Sequence, residues 1–311
     1  MRYIQIPARP GELLSKIKTV IKHFISGGDI QEKVKMHLQL VKTMEFYRRN
    51  NLIAFRAYFI YILPYISKSF NVDQKHRILI NHYSVLKQYF SQSQLEKLFT
   101  DGIECYNEIN EEDNYSIYLQ AVTNHLEFEG SMCLVFKYDN INLFTLNFTL
   151  VPGKVFNHSD AQMIYISSIQ GVRNEFENIR KATKYFKDNS LPVILLKVLQ
   201  AFAMSMGIDN CIGISVKDQL SVKDELMYDR FRTIYDDFWI NNGGVSLSGG
   251  YLIDLPVRQK PIHLIAQPHR NRTLKKRKKL EDIYSYAIRN INTALQDKED
   301  SCFDEQEMQF I

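Results

Sequence analysis

The sequence predicts an α+β protein, with an N-terminal helical lobe packed on a mixed, mostly antiparallel sheet that contains one β-α-β crossover. Three observations predict it. Apolar residues recur at helical spacing through the first hundred positions. Three strand-like runs separated by turn residues follow, between Tyr115 and Leu150. From Gln162 to Val216 the chain then reads as a strand, a two-part helical crossover and a second strand. The expected units are a helical lobe over 1–108, an α+β domain over 109–296 and an acidic tail over 297–311.

Each element has a local cause. Leu13, Leu14, Ile17, Val20, Ile21 and Phe24 mark a first helix, stopped by Gly27 and Gly28. Further helices fit Gln31–Tyr47, Asn51–Tyr61, Asp73–Phe90 and Ser93–Gly102, with Asp73 as N-cap of the fourth. The polar run from Asn107 to Asn114 reads as a loop. Strands fit Tyr115–Val122, Ser131–Tyr138, Leu143–Leu150 and Met163–Ile169, with turns at Gly130 and Asp139-Asn140. In the crossover, Val172–Asp188 is charged and amphipathic. Leu191–Met206 is apolar nearly all round, which marks a buried helix. Cys211–Val216 reads as a strand covered on both faces. Met227–Trp239 reads as one helix, and Tyr251–Leu255 with Ile262–Ile265 as a last strand pair. A basic run, Arg270 to Lys279, precedes a final helix, and the acidic tail beyond Asp297 reads as loose.

Composition narrows the classes. Of 311 residues, 45% are hydrophobic and 24% charged, ordinary for a globular protein. The 18 Tyr and 19 Phe supply a large core. A net charge of +4 does not mark a nucleic-acid binder. Cys105, Cys133, Cys211 and Cys302 form no paired motif and read as reduced thiols. No metal-spaced cluster, phosphate loop, dinucleotide fingerprint or nucleophile elbow appears, so no metal is expected. The N-terminus has no secretory pattern, and no apolar run reaches the ~20 residues of a membrane span. The expected location is cytoplasmic, with peripheral contact at the inner membrane left open.

The order of short motifs resembles the VirK family of Gram-negative bacteria. These are Ile169-Gln170-Gly171 after a strand, Ile179–Lys184, an apolar helix, Tyr235–Trp239, and basic residues before the last helix. His82-Tyr83 and Glu129-Gly130 add to it, over roughly Arg77 to Ile291. One departure is Ser167-Ser168-Ile169 where that family carries a glycine pair before the glutamine. The resemblance implies virulence, envelope integrity and resistance to antimicrobial peptides, with no established reaction.

The element order also resembles the acetyltransferase-like (GNAT) fold, in which an acyl thioester lies along the central strand. Helix N-termini favour anions because their N–H groups are unpaired. The resemblance therefore implies a site for coenzyme A or another acyl or aminoacyl donor, free or carrier-bound. It would lie along Ile166, Ser168, Gln170, Gly171 and Val172, with Arg173 and Lys181 or Lys184 adding charge. The usual glycine-rich signature of that fold is reduced here to Gly171.

Acyl transfer needs a base and a stabilised oxyanion. His82 is the first candidate base, and Glu129 (with Glu127 nearby) the second. The fold resemblance implies Tyr235 as proton donor to the leaving thiolate. Asp236 and Trp239, three apart on a helix, and Arg277 are candidate substrate contacts. Each has a structural alternative: a buried hydrogen-bonded histidine, a solvated hairpin glutamate, a helix that closes the sheet. The basic run fits an anionic membrane surface, a phosphate-bearing ligand or a solvated helix start. Nucleic acid fits less well, because no aromatics interleave the charges.

Overall fold

The computed structural model describes residues 28–44, 59–110, 113–122 and 128–307, with side chains through 296. The expected helices over 13–24 and from Asn51 fall mainly outside these residues, as does Glu127.

The helical lobe contributes α1 (Gly28–Val41), α2 (Val72–Tyr89) and α3 (Gln92–Phe99). The N-cap of α2 lies two residues before the expected Asp73. It is Asn71, accepting from Gln74 N–H while the Gln74 side chain accepts from Asn71 N–H. That reciprocal pair satisfies two otherwise orphaned donors. Ser91 caps α3, its hydroxyl accepting from Gln94 N–H at 3.2 Å.

An eight-stranded mixed sheet follows, in the order β1-β2-β3-β4-β5-β6-β8-β7. Its strands are β1 (Ile103–Asn110), β2 (Asp113–Ala121), β3 (Met132–Tyr138), β4 (Ile141–Val151), β5 (Met163–Gly171), β6 (Asn210–Ile214), β7 (Val245–Leu247) and β8 (Gly250–Asp254). All neighbours are antiparallel except β5 and β6. Asp139 and Asn140, both left-handed, turn β3 into β4.

Several expectations need correction. The polar run over 107–114 is largely strand, because Glu108, Ile109 and Asn110 pair with Tyr115, Asn114 and Asp113. The last strand pair is the β7–β8 hairpin, while Ile262–Leu264 is a 3₁₀ turn. The helix expected over 227–239 is two, α6 (Glu225–Arg232) and α7 (Asp236–Asn241). The acidic tail continues the last helix, α8, which runs from Gln267 to Glu307 and takes in the basic run.

The crossover comprises α4 (Phe176–Tyr185) and α5 (Leu191–Ser205). Ten residues of α5 are buried, as its all-round apolar sequence requires. Phe202 meets Phe148 of β4 edge-on at 5.5 Å. Helix α8 lies along α5, where Lys197 bonds Glu281 at 3.3 Å and sits over the Tyr284 ring. It also covers β1, where Tyr286 meets Tyr106 at 5.2 Å.

Candidate functional site at the opening between β5 and β6

Strand β5 is bonded unequally on its two sides. On one side it pairs with β4 from Met163 to Gly171. On the other it pairs with β6 only through Ile164, Tyr165 and Ile166. Beyond Ile166 the two parallel strands part. The β4 register also skips at this point: Ile166 faces Phe148 and Ser168 faces Asn147, so Ser167 is a bulge. A bulge bends a strand and re-aims its side chains. The opening lies at the carboxyl end of the parallel pair, where open α/β sheets receive ligands.

Three segments converge on it. Glu129, half-buried, comes from the turn before β3; Gln219 from the loop after β6; Tyr235 from the start of α7. Gln219 Nε2 donates to Tyr235 Oη at 3.1 Å, to Glu129 Oε1 at 3.5 Å and to Ser167 O at 3.5 Å. Gln170 Nε2 donates to the other Glu129 oxygen at 3.3 Å. Ser167 Oγ donates to the Glu129 and Asn147 carbonyls. Tyr235 Oη also meets Ile169 N–H, a β5 amide beyond the reach of β6. Burial, and then the charge of Glu129, push the Tyr235 hydroxyl well above its ordinary value. Its proton is therefore held at neutral pH.

A strap from the helical lobe ties these walls together. Ile66 N–H donates to Phe128 O at 2.7 Å, and Lys68 N–H to Asp218 O at 2.9 Å. Tyr65 Oη bonds Ser131 Oγ, and Lys68 Nζ bonds Val222 O. Ile66 is fully buried with φ +51°, and Ser67 N–H closes a tight turn on Tyr65 O at 2.6 Å. A β-branched residue in that region is strained by about 1–3 kcal/mol.

The other expected site residues are placed elsewhere or turned inward. His82 lies in the core of α2, where Nδ1 accepts Leu150 N–H at 3.3 Å. Leu150 faces Ile164 at the start of β5, whereas Thr145 faces Gln170. His82 thus sits at the Ile164 end of β5, three residues or about 10 Å along the strand from Ser167, with its ring turned to the Leu150 amide and not to Glu129 or Tyr235. Ile166 and Ser168 are buried in the ladder, and Ser168 Oγ accepts from Asn147 Nδ2 at 2.7 Å. Gly171 is the exposed last residue of β5, Arg173 is exposed on the turn before α4, and Lys184 is exposed on that helix. Val172 N–H, expected to face an anion, donates to Leu143 O at 2.9 Å.

Trp239, expected at a substrate, has no exposed surface. Its Nε1 donates to Ile214 O at 2.9 Å and its ring lies on Gly213. Asp236 accepts Val216 N–H at 2.9 Å, and burial raises its carboxyl above the ordinary range. Both residues close the end of β6. Arg277 donates to Lys260 O. Most of the basic run is engaged likewise. Arg272 pairs with Asp188 at 2.9 Å, Lys276 donates to Asp188 O at 2.7 Å, Arg270 donates to Ile265 O, and Lys279 grips Glu108 at 2.6 Å. Lys275 and Lys278 remain exposed, with no partner among the described residues.

Against known families, the model described as "Protein of unknown function (DUF535)" matches residues 32–289. The chain belongs to the DUF535 family. That family includes VirK-type proteins, in keeping with the motif order seen in the sequence. No curated protein and no solved structure matches the chain. The matched span of this DUF535 chain contains the whole opening: Glu129, Ser167, Gln170, Gln219 and Tyr235. Gln219 carries no sequence signal, being one glutamine in a polar loop. Among its described residues, no group of three or more His, Cys, Asp or Glu is placed to hold a metal ion. Nor is any described helix long and apolar enough to cross a membrane.

Proposed function

We propose that this DUF535 chain is a VirK-like, acyl- or aminoacyl-transferase-like protein acting on an envelope component or peptide. The role implied by that likeness is in virulence and antimicrobial-peptide resistance. The observation that carries the reading is the parting of β5 from β6 at a bulged Ser167, with Glu129, Gln219 and Tyr235 meeting in the opening. An acyl thioester, of coenzyme A or of a carrier, would approach the opening from its exposed end at Gln170 and Gly171. An acceptor amine would attack its carbonyl carbon while Glu129 takes the amine proton. The carbon–sulfur bond then breaks, and the departing thiolate receives that proton. Gln219 and Gln170 hold the Glu129 carboxylate, and Tyr235 bridges the gap to Ile169.

A second reading, a non-catalytic ligand- or lipid-binding protein at the inner membrane face, is favoured by one observation. Lys275 and Lys278 are exposed beside the exposed Leu274.

Thermal unfolding separates the two. A ligand that binds only the folded state raises the midpoint. Coenzyme A, a long-chain acyl-CoA, acylated carrier protein and anionic vesicles would be added in turn. A rise of several degrees with an acyl donor, retained in Glu129→Gln while acyl transfer is lost, is expected of the transferase. A rise with vesicles alone supports the binding protein. No rise with any acyl donor sinks the transferase.

A further inference from the structure

Gln219 is 1% exposed, although glutamine is mostly a surface residue. A buried amide is stable only where both its ends are bonded, so its partners fix which way it points. Oε1 accepts the Ser221 N–H and the Ser221 hydroxyl, the latter at 2.7 Å. A backbone N–H can only donate, so the oxygen must face Ser221 and the NH₂ must face the opening. There the two protons meet three acceptors from three segments: Glu129, the bulged Ser167 and Tyr235. Gln170, which reaches the other Glu129 oxygen, is exposed and free to exchange with water. Of these two amides, the buried one is the one held in a single orientation.

We propose that Gln219 is the positioning residue of this site, aiming the Glu129 carboxylate and the Tyr235 hydroxyl into the opening between β5 and β6. The proposal rests on the functional reading above but is tested without turnover. A donor to the charged form of a carboxyl lowers its pKa. In protein labelled with ¹³C at the glutamate carboxyl, the Glu129 resonance is the one missing from Glu129→Gln. In Gln219→Met its midpoint rises by about 0.5–1 pH unit, while Gln170→Met moves it less. A merely structural role would leave the midpoint unchanged.

The wild-type protein gives a measurement independent of whether the Met variant folds. One glutamine side-chain amide, assigned to Gln219, shifts with pH along the Glu129 titration. Equal Glu129 midpoints in wild type and a folded Gln219→Met, or a Gln219 amide that ignores that titration, overturn the proposal. An absence of acyl-donor binding alongside a normal Gln219 response instead overturns only the transferase.

Discussion

Replacing Gly213 by Ala tests how the end of β6 is closed. A Cβ built there would sit 2.2 Å from Trp239 Cδ2, 2.3 Å from Cε2 and 2.7 Å from Cε3. Non-bonded carbons prefer about 3.5–4.0 Å, so the indole must retreat by roughly 1.5 Å or β6 must move. Trp239 is fully buried and has nowhere to go without releasing Ile214 O. Overpacking of this kind costs about 1–3 kcal/mol and the lost hydrogen bond about 1 kcal/mol. We expect Gly213→Ala to destabilise the protein by about 2–4 kcal/mol, read by urea unfolding. Trp239 is the single Trp of the chain, so its fluorescence reports the displaced ring directly. Trp239→Leu removes most of the obstructing atoms and leaves a cavity of its own. In that background Gly213→Ala should cost far less, giving a coupling of at least ~1.5 kcal/mol. Equal costs in the two backgrounds, or a cost below ~0.5 kcal/mol with unchanged fluorescence, would refute the packing.

Three further predictions follow from the same logic. Burial raises Glu108, but Lys279 and the hydroxyls of Tyr106 and Tyr185 outweigh it and hold the carboxyl below its ordinary value. Lys279→Met should therefore destabilise by about 2–4 kcal/mol, and adding Glu108→Gln should recover much of that loss in urea titrations. Burial lowers the Lys75 ammonium to about 8 while it donates to Leu63 O at 2.6 Å. Its charge is then lost sooner in the folded than in the unfolded chain, so its contribution to stability rises between pH 8 and about 10. Subtracting the pH profile of Lys75→Met should leave that rise, and a flat difference would contradict the burial. At Ile66, substitution by Gly removes about 1–3 kcal/mol of strain but deletes a fully buried side chain worth about 2–5 kcal/mol. The net effect should be destabilising in thermal melts, and a stabilised variant would show that strain outweighs packing.

The parts of the fold written in the sequence are those set by local pattern. Helix α5 and strands β2 to β6 stand close to where their apolar periods place them, because burial demands those periods. The polar edge of β1 does not announce itself. Asn107, Glu108 and Asn110 are poor strand formers, and partners across β2 and on α8 impose the conformation. The α6–α7 break was hidden because both halves keep a helical pattern; Tyr235, turned in to Gln219 and Ile169, interrupts it. At the site, Glu129 and Gln170 are visible as residue types beside strand ends, and Tyr235 by its order in the fold resemblance. Gln219 and the strap through Ile66 are not, because their roles come from contacts between segments far apart in the chain. His82 illustrates the converse. A histidine signals chemistry by type, yet its ring is turned to the Leu150 amide.

The grip of α8 on β1 also sets an order of events during synthesis. Strand β1 is a sheet edge, and its cover includes Lys279 on Glu108, a residue 171 positions later. At about 5–20 residues per second, a ribosome needs on the order of 10–30 s to make the intervening chain. For that interval the edge stands open to other nascent chains. Glu104, Asn107, Glu108 and Asn110 then act as deterrents, since charged and amide side chains along an open edge discourage strand addition. The poor strand-forming residues that obscure β1 in the sequence would thus guard it until the C-terminal helix arrives.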